Sequence, residues 1–238
     1  MIVWNLEGLI TMRKDTTGNR RANKKRFNYF FYDFVKITGI IPVWIWLHPR
    51  VYHFGDKKKH NIKGQMLVVS NHVGFRDPLI LLCAFFRRRL FALITKDLYK
   101  TKIMSFILNA IHCIKVDKEN FSMQSFYKVS DLLKDGRAVL IFPEGQVNRE
   151  EGSMLSFKTG AVLMAHKNKA PILPVYVSTG EKWYEKNVVV IGDPIDLREV
   201  CGDFPTMDAL QRASELIRER EQVLKEYCET SIIKSNGR

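Results

Sequence analysis

Met66-Leu67-Val68-Val69-Ser70 runs directly into Asn71-His72-Val73-Gly74-Phe75-Arg76-Asp77, and this stretch decides how the chain is read. Its first five residues have the length and apolarity of a strand buried on both faces. Its end carries a histidine and a carboxylate five positions apart. A second apolar run, Ala138-Val139-Leu140-Ile141-Phe142, ends in Pro143-Glu144-Gly145. Two buried strands whose exits carry His, Asp and Glu point to one site.

Further strand-like segments flank these two: Leu90–Ile94, Cys113–Val116, Ile172–Ser178 and Val188–Ile191, with the first run taken as Gln65–Ser70. They are short, aliphatic or β-branched, and bounded by Gly, Pro or charge. Helix-length segments lie between them at Pro78–Phe86, Leu98–Ile111, Ser122–Leu133 and Gly160–Lys167. The alternation predicts an α/β fold with a mixed, largely parallel sheet covered by helices. In such sheets ligands bind beyond the carboxyl ends of the strands, where both polar motifs begin. A last helix is expected after Thr206, as N-cap, with Leu210, Ala213, Leu216, Ile217, Val223, Leu224 and Tyr227 as its apolar stripe. Its charges, including Glu215, Glu219 and Glu221, read as a solvated face.

Asp77-Pro78 has the form of a helix N-cap followed by Pro at the first helical position. The same carboxylate can turn back to the imidazole of His72, fix its tautomer and leave the other nitrogen as a base. Gly145 lets backbone approach a ligand, while Glu144 bonds hydroxyls or orients a loop. Lys96, Lys118 and Arg149 each follow a strand end, where cations can hold a phosphate. No Gly-x-Ser-x-Gly elbow, Gly-rich phosphate loop or metal-ligand spacing is found. The chemistry indicated is direct: His72 takes a proton from an acceptor hydroxyl, and that oxygen attacks an activated carbonyl.

The 238 residues carry a formal charge of +13, unevenly spread. Residues 1–64 hold 13 Lys and Arg against 4 Asp and Glu; residues 65–238 hold 25 against 21. Basic clusters at Arg20-Arg21 and Lys24-Lys25-Arg26 precede an aromatic stretch and then Ile37–Leu47, eleven residues without charge. A spanning helix needs about 20 consecutive apolar residues, and Asp33 and Lys36 interrupt this one. The segment reads as an interfacial or re-entrant anchor, with Trp44 and Trp46 at the water–lipid boundary and basic residues attracting anionic lipid. The domain boundary is placed near 64, dividing an N-terminal membrane-anchoring segment (1–64) from an α/β domain (65–238). Nucleic acid is not the expected partner, because the basic residues border a stretch too apolar for a solvated groove. Cys83, Cys113, Cys201 and Cys228 are widely spaced and read as buried, reduced thiols. Met1–Met12 lacks the features of a signal peptide.

The motifs resemble those of the glycerolipid acyltransferase family, of the 1-acylglycerol-3-phosphate acyltransferase type. Asn71, His72 and Asp77 match its Asn-His-x-x-x-x-Asp block in full. Lys96-Asp97-Leu98 and Val116-Asp117-Lys118 are similar to its second block, with Lys118 where Arg is usual. Phe142-Pro143-Glu144-Gly145 matches the third before departing at Gln146-Val147-Asn148. Pro171-Ile172-Leu173-Pro174-Val175 matches the fourth, and Phe157-Lys158-Thr159-Gly160-Ala161 resembles a further Phe-Lys-x-Gly segment. The resemblance implies fatty acyl transfer from acyl-carrier protein or acyl-coenzyme A, as co-substrate and with no other cofactor, to a lysophospholipid hydroxyl, foremost 1-acylglycerol-3-phosphate; the alternatives are another lysolipid or an aminolipid as acceptor, or water, as in a thioesterase or lipid hydrolase on the same site. It implies His72 and Asp77 as the catalytic pair. The expected substrate-binding residues are Asn71, Lys96, Lys118, Glu144, Gly145 and Arg149, the last standing near Val147, where the family usually has a phosphate-binding Arg. The expected location is the cytoplasmic face of the cell membrane.

Overall fold

The structure is a computed structural model that describes residues 29–56, 63–117, 122–148, 154–179 and 187–233. A seven-stranded sheet forms its centre, built from β1 (Arg50–His53), β2 (Met66–Ser70), β3 (Leu90–Thr95), β4 (Ile114–Val116), β5 (Ala138–Ile141), β6 (Ile172–Ser178) and β7 (Val188–Ile191). The order across the sheet is β1-β7-β6-β2-β5-β3-β4. Every neighbouring pair is parallel except β6 and β7. This is the mixed, largely parallel sheet expected from the sequence.

Alternation along the strands divides the core into two layers. Leu67, Val69, Val139, Ile141 and Ile172 pack on one face beneath α4 (Met123–Lys134), α5 (Thr159–Lys167) and α7 (Met207–Tyr227). Met66, Val68, Leu140, Leu173 and Val175 pack on the other beneath α1 (Tyr29–Leu47), α2 (Asp77–Ala84) and α3 (Lys102–Ala110). All residues of β2 and β5 are buried, which is why both read as continuous apolar runs. A short α6 (Leu197–Cys201) precedes α7. Thr206 caps α7 as expected, its hydroxyl accepting the Ala209 amide at 3.2 Å. All four cysteines are free thiols.

Three readings need correction. The segment Leu98–Ile111 is not one helix: a 3-10 turn spans Lys96–Tyr99, and Thr101 caps a new helix by accepting the Met104 amide. The boundary near residue 64 cuts through the sheet, because β1 pairs with β7 from Arg50↔Val188 to His53↔Ile191. This edge strand is short and half exposed, so it carries neither an apolar run nor clean alternation. The aromatic segment is a 19-residue helix, and its charges do not break it. Arg89 binds Asp33 at 2.6 Å, and Lys36 donates to the carbonyls of Phe85 and Arg88. Both charges therefore face the protein, while Phe30, Phe34, Ile37, Ile41 and Trp44 remain exposed. By length and composition α1 could cross a membrane. Tyr32 and Leu47 nevertheless fix it to the domain, both fully buried.

Candidate active site

The turn after β2 places His72 at the carboxyl end of the central strand. Asn71 anchors that turn: its amide donates to Val177 O at 2.9 Å and its carbonyl accepts Val177 N at 2.8 Å. Side-chain atoms thus mimic one more rung between β2 and β6. Asn71 is buried and engaged with backbone, so it positions the loop and does not meet a substrate as expected.

His72 and Asp77 come together. Asp77 does not cap α2; it is the first residue of the helix, and no side-chain cap is formed. Its Oδ2 instead accepts from Val73 N at 2.7 Å and Gly74 N at 2.8 Å, and lies 2.9 Å from His72 Nδ1. A carboxylate oxygen is only an acceptor, so Nδ1 carries the proton and Nε2 keeps a lone pair. Asp77 is fully buried, whereas His72 is partly open. The imidazole also stacks on Phe142, with centroids 4.2 Å apart. Carboxylate, turn amides and ring stacking hold one rotamer and one tautomer of the base.

His72 lines a cavity of about 640 Å3. The walls are mostly apolar, with Leu93, Ile94, Phe126, Ile141, Leu163 and Met164 among them, and Lys158, Asp97 and Asp117 add charge. That size and lining suit a long apolar ligand with a polar end. Phe75 and Leu98, both on this cavity, are also exposed to solvent.

Glu144 faces inward. Its Oε1 accepts the His72 backbone amide at 3.3 Å, and the residue is only 4% exposed. Burial raises its pKa from the ordinary carboxyl value. Through Oε1 Glu144 orients the loop, the second of its two expected roles, while Oε2 has no hydrogen-bond partner. Asn148 N donates to His72 O at 2.7 Å, so the third motif clasps the first from both sides. Gly145 has φ +70, and a Cβ there would lie 2.6 Å from Lys158 Nζ. Glycine is needed both for the left-handed backbone and for the close ammonium.

Lys96 is drawn aside, its ammonium 2.7 Å from Asp117, and it is not part of the cavity wall. Lys118 and Arg149 lie outside the described residues. Lys158 is a cavity cation absent from the expected site; its only sequence signal was the Phe157-Lys158-Thr159-Gly160 block. A second omission is Glu221 of α7, fully buried with neither carboxyl oxygen hydrogen-bonded. Burial first, then the charge of Glu144, push its pKa well up. Its burial behind the His72 loop disfavours the charged form, contrary to its reading as solvated. Spacing held the clue: position 221 falls four after Ile217 and three before Leu224, on the buried stripe.

A histidine paired with a buried carboxylate at the end of a largely parallel sheet, opening into an apolar cavity, has the form of a site for a long apolar substrate. The sequence model described as Acyltransferase matches residues 51–178, and the chain belongs to that family. The 1-acyl-sn-glycerol-3-phosphate acyltransferase of Bacillus subtilis is 28% identical over 164 residues, which cover 67% of this chain and 80% of that protein. The enzyme of that name from Borreliella burgdorferi is 26% identical over 159 residues, covering 66% and 62%. The fold resembles the crystal structure of the 1-acyl-sn-glycerophosphate (LPA) acyltransferase PlsC from Thermotoga maritima, with a TM-score of 0.58 and 20% identity over 82% of this chain and 77% of that one. The protein is an acyltransferase.

Proposed function

We propose that the protein transfers a fatty acyl group from an acyl thioester, of coenzyme A or of acyl-carrier protein, to the free hydroxyl of 1-acylglycerol-3-phosphate, giving phosphatidic acid at a membrane surface. The observation that carries this reading is the 2.9 Å contact between His72 Nδ1 and Asp77 at the mouth of an apolar cavity. The relatives' shared activity supports the choice of acceptor.

In this mechanism His72 Nε2 takes the hydroxyl proton as the acceptor oxygen attacks the thioester carbonyl. Asp77 stabilises the imidazolium that forms. The tetrahedral intermediate then collapses, the C–S bond breaks, and the imidazolium returns its proton to the thiolate. No acyl-enzyme is required. The acyl chain lies among Leu93, Phe126, Ile141 and Met164.

Lys158 is the cation proposed to meet the acceptor phosphate. Val147 lines the same cavity and cannot bind an anion, whereas the Lys158 ammonium lies against the Gly145 turn. Arg149 stays an expected contributor. Two features support a membrane location: α1 exposes Phe30, Phe34, Ile41 and Trp44, and the basic clusters precede it in sequence. The two charges facing the protein favour a helix lying in the interface over one crossing the bilayer.

Incubation with acyl-coenzyme A or acyl-carrier protein, with and without 1-acylglycerol-3-phosphate, tests the reaction. Thiol release is expected only with the acceptor, together with a lipid product one acyl group heavier by mass spectrometry. Equal thiol release without acceptor would instead assign hydrolysis.

A further inference from the structure

A second cavity, of about 510 Å3, lies at the opposite end of the sheet from His72. Lys36 of α1, the Arg87-Arg88-Arg89 run before β3, and Arg137 before β5 form its wall. Five cations thus meet one lining carboxylate among the described residues, Asp33, and Arg89 occupies both its oxygens at 2.9 and 2.6 Å. Arg137 Nε is buried with no hydrogen-bond partner. Arg87 is exposed and the other four are partly buried. Lys36 and Arg88 donate to backbone carbonyls and Arg137 lies over the Tyr29 ring, which leaves the clustered charge itself unbalanced. An anion would relieve that cost. Burial indeed pushes the Lys36 ammonium down to about 8 and lowers Arg88 as well.

We propose that this cavity holds the phosphate of an anionic phospholipid. Guanidinium forks match phosphate oxygens, and Arg137 Nε offers a donor with nothing else to bind. The source of the phosphate follows from position. Ile37 both lines the cavity and is 55% exposed, on the same side of α1 as Phe34 and Ile41. A headgroup can enter the cavity while its chains lie along that apolar face. An acidic carrier protein fits the position poorly. Strand β3, six residues and hence about 20 Å long, separates the cavity from the active-site end, so a donor docked there does not present its thioester to His72. The bound lipid fixes how α1 and the domain sit on the membrane, and it makes binding selective for anionic bilayers.

The inference rests on α1 being lipid-facing, and one assay separates the two. The full chain is mixed with phosphatidylcholine vesicles, or with vesicles that also contain phosphatidylglycerol, and partition is measured. Arg137→Lys keeps the charge but loses the fork; Arg87→Gln alters an exposed loop and serves as a second, structurally mild variant, with melting temperature monitoring both. The wild type should prefer the anionic vesicles. Each variant should lose about tenfold of that preference, the share of one charge-assisted hydrogen bond, with partition into neutral vesicles unchanged. Inorganic phosphate should compete only weakly. Wild-type partition by Arg137→Lys would overturn the site and leave a diffuse surface field. Inorganic phosphate that competes as strongly as the lipid would overturn the lipid as its ligand. Binding to neutral vesicles with no anionic preference contradicts the cavity alone, whereas failure to bind either kind contradicts the reading of α1 and the site with it.

Discussion

At the scale of single residues, the site depends on one acceptor oxygen shared by several donors. Asp77 Oδ2 serves Val73, Gly74 and His72 at once, so one carboxylate shapes the turn and sets the tautomer. Asp77→Asn gives the ring a donor where it needs an acceptor, and kcat should fall by about 10³ to 10⁴ with the fold retained. Steady-state kinetics beside a melting curve checks this; an undiminished kcat would reduce Asp77 to a turn residue. Lys158→Ala should raise the acceptor KM about tenfold and change kcat less, since a ground-state phosphate contact is lost. Equal kinetics in that variant would place the phosphate elsewhere. Glu221 gives a pH effect of definite sign. Its folded pKa is raised well above the ordinary 4.5, so between these values the folded state holds a proton that the unfolded chain has released. Stability is then full below about 4.5 and declines as pH rises through the folded value. Glu221→Gln should flatten that decline in thermal melts across pH. An unchanged slope would mean that Glu221 is not the titrating group.

At the scale of elements, α1 has two sides with different tasks. Tyr32 bonds the backbone of Leu90 and Leu47 enters the core, so removing residues 1–47 would damage the fold as well as the membrane contact. Substituting the outer face avoids this. Changing Phe34, Ile41 and Trp44 together to Ser should weaken vesicle partition at least about tenfold, because burying each such side chain contributes on the order of 1 kcal/mol or more. The melting temperature should stay near wild type, and full retention of partition would move the membrane contact elsewhere. Local patterns revealed these elements where burial was complete: β2 and β5 are uniformly apolar, and Thr206 marks the start of α7. They hid β1, whose partner β7 lies over 130 residues away and whose side chains are half exposed. Lys36 and Asp33 misled for a related reason, since the carbonyls and guanidinium that receive them come from the distant segment around Phe85–Arg89.

At the scale of the whole molecule, a largely parallel sheet gathers three separate motifs at one end. The turn after β2 supplies His72, the turn after β5 supplies Glu144 and Gly145, and the segment before α5 supplies Lys158. Order and spacing in the sequence indicated which motifs would meet. They could not indicate that Asn71 and Glu144 turn inward to backbone amides, or that Lys96 is held by Asp117, because those outcomes depend on neighbours remote in the chain. The cavity beside His72 and the basic cavity at the far end give the molecule two distinct ends, and chemistry is assigned to the first. The most direct test is acyl transfer by purified wild-type and His72→Ala protein, with acyl thioester and 1-acylglycerol-3-phosphate, read by mass spectrometry of the lipids. Phosphatidic acid should form with the wild type and fall by about 10³-fold or more in the variant, with vesicle binding unaltered. Transfer by His72→Ala within a few-fold of wild type would contradict the account.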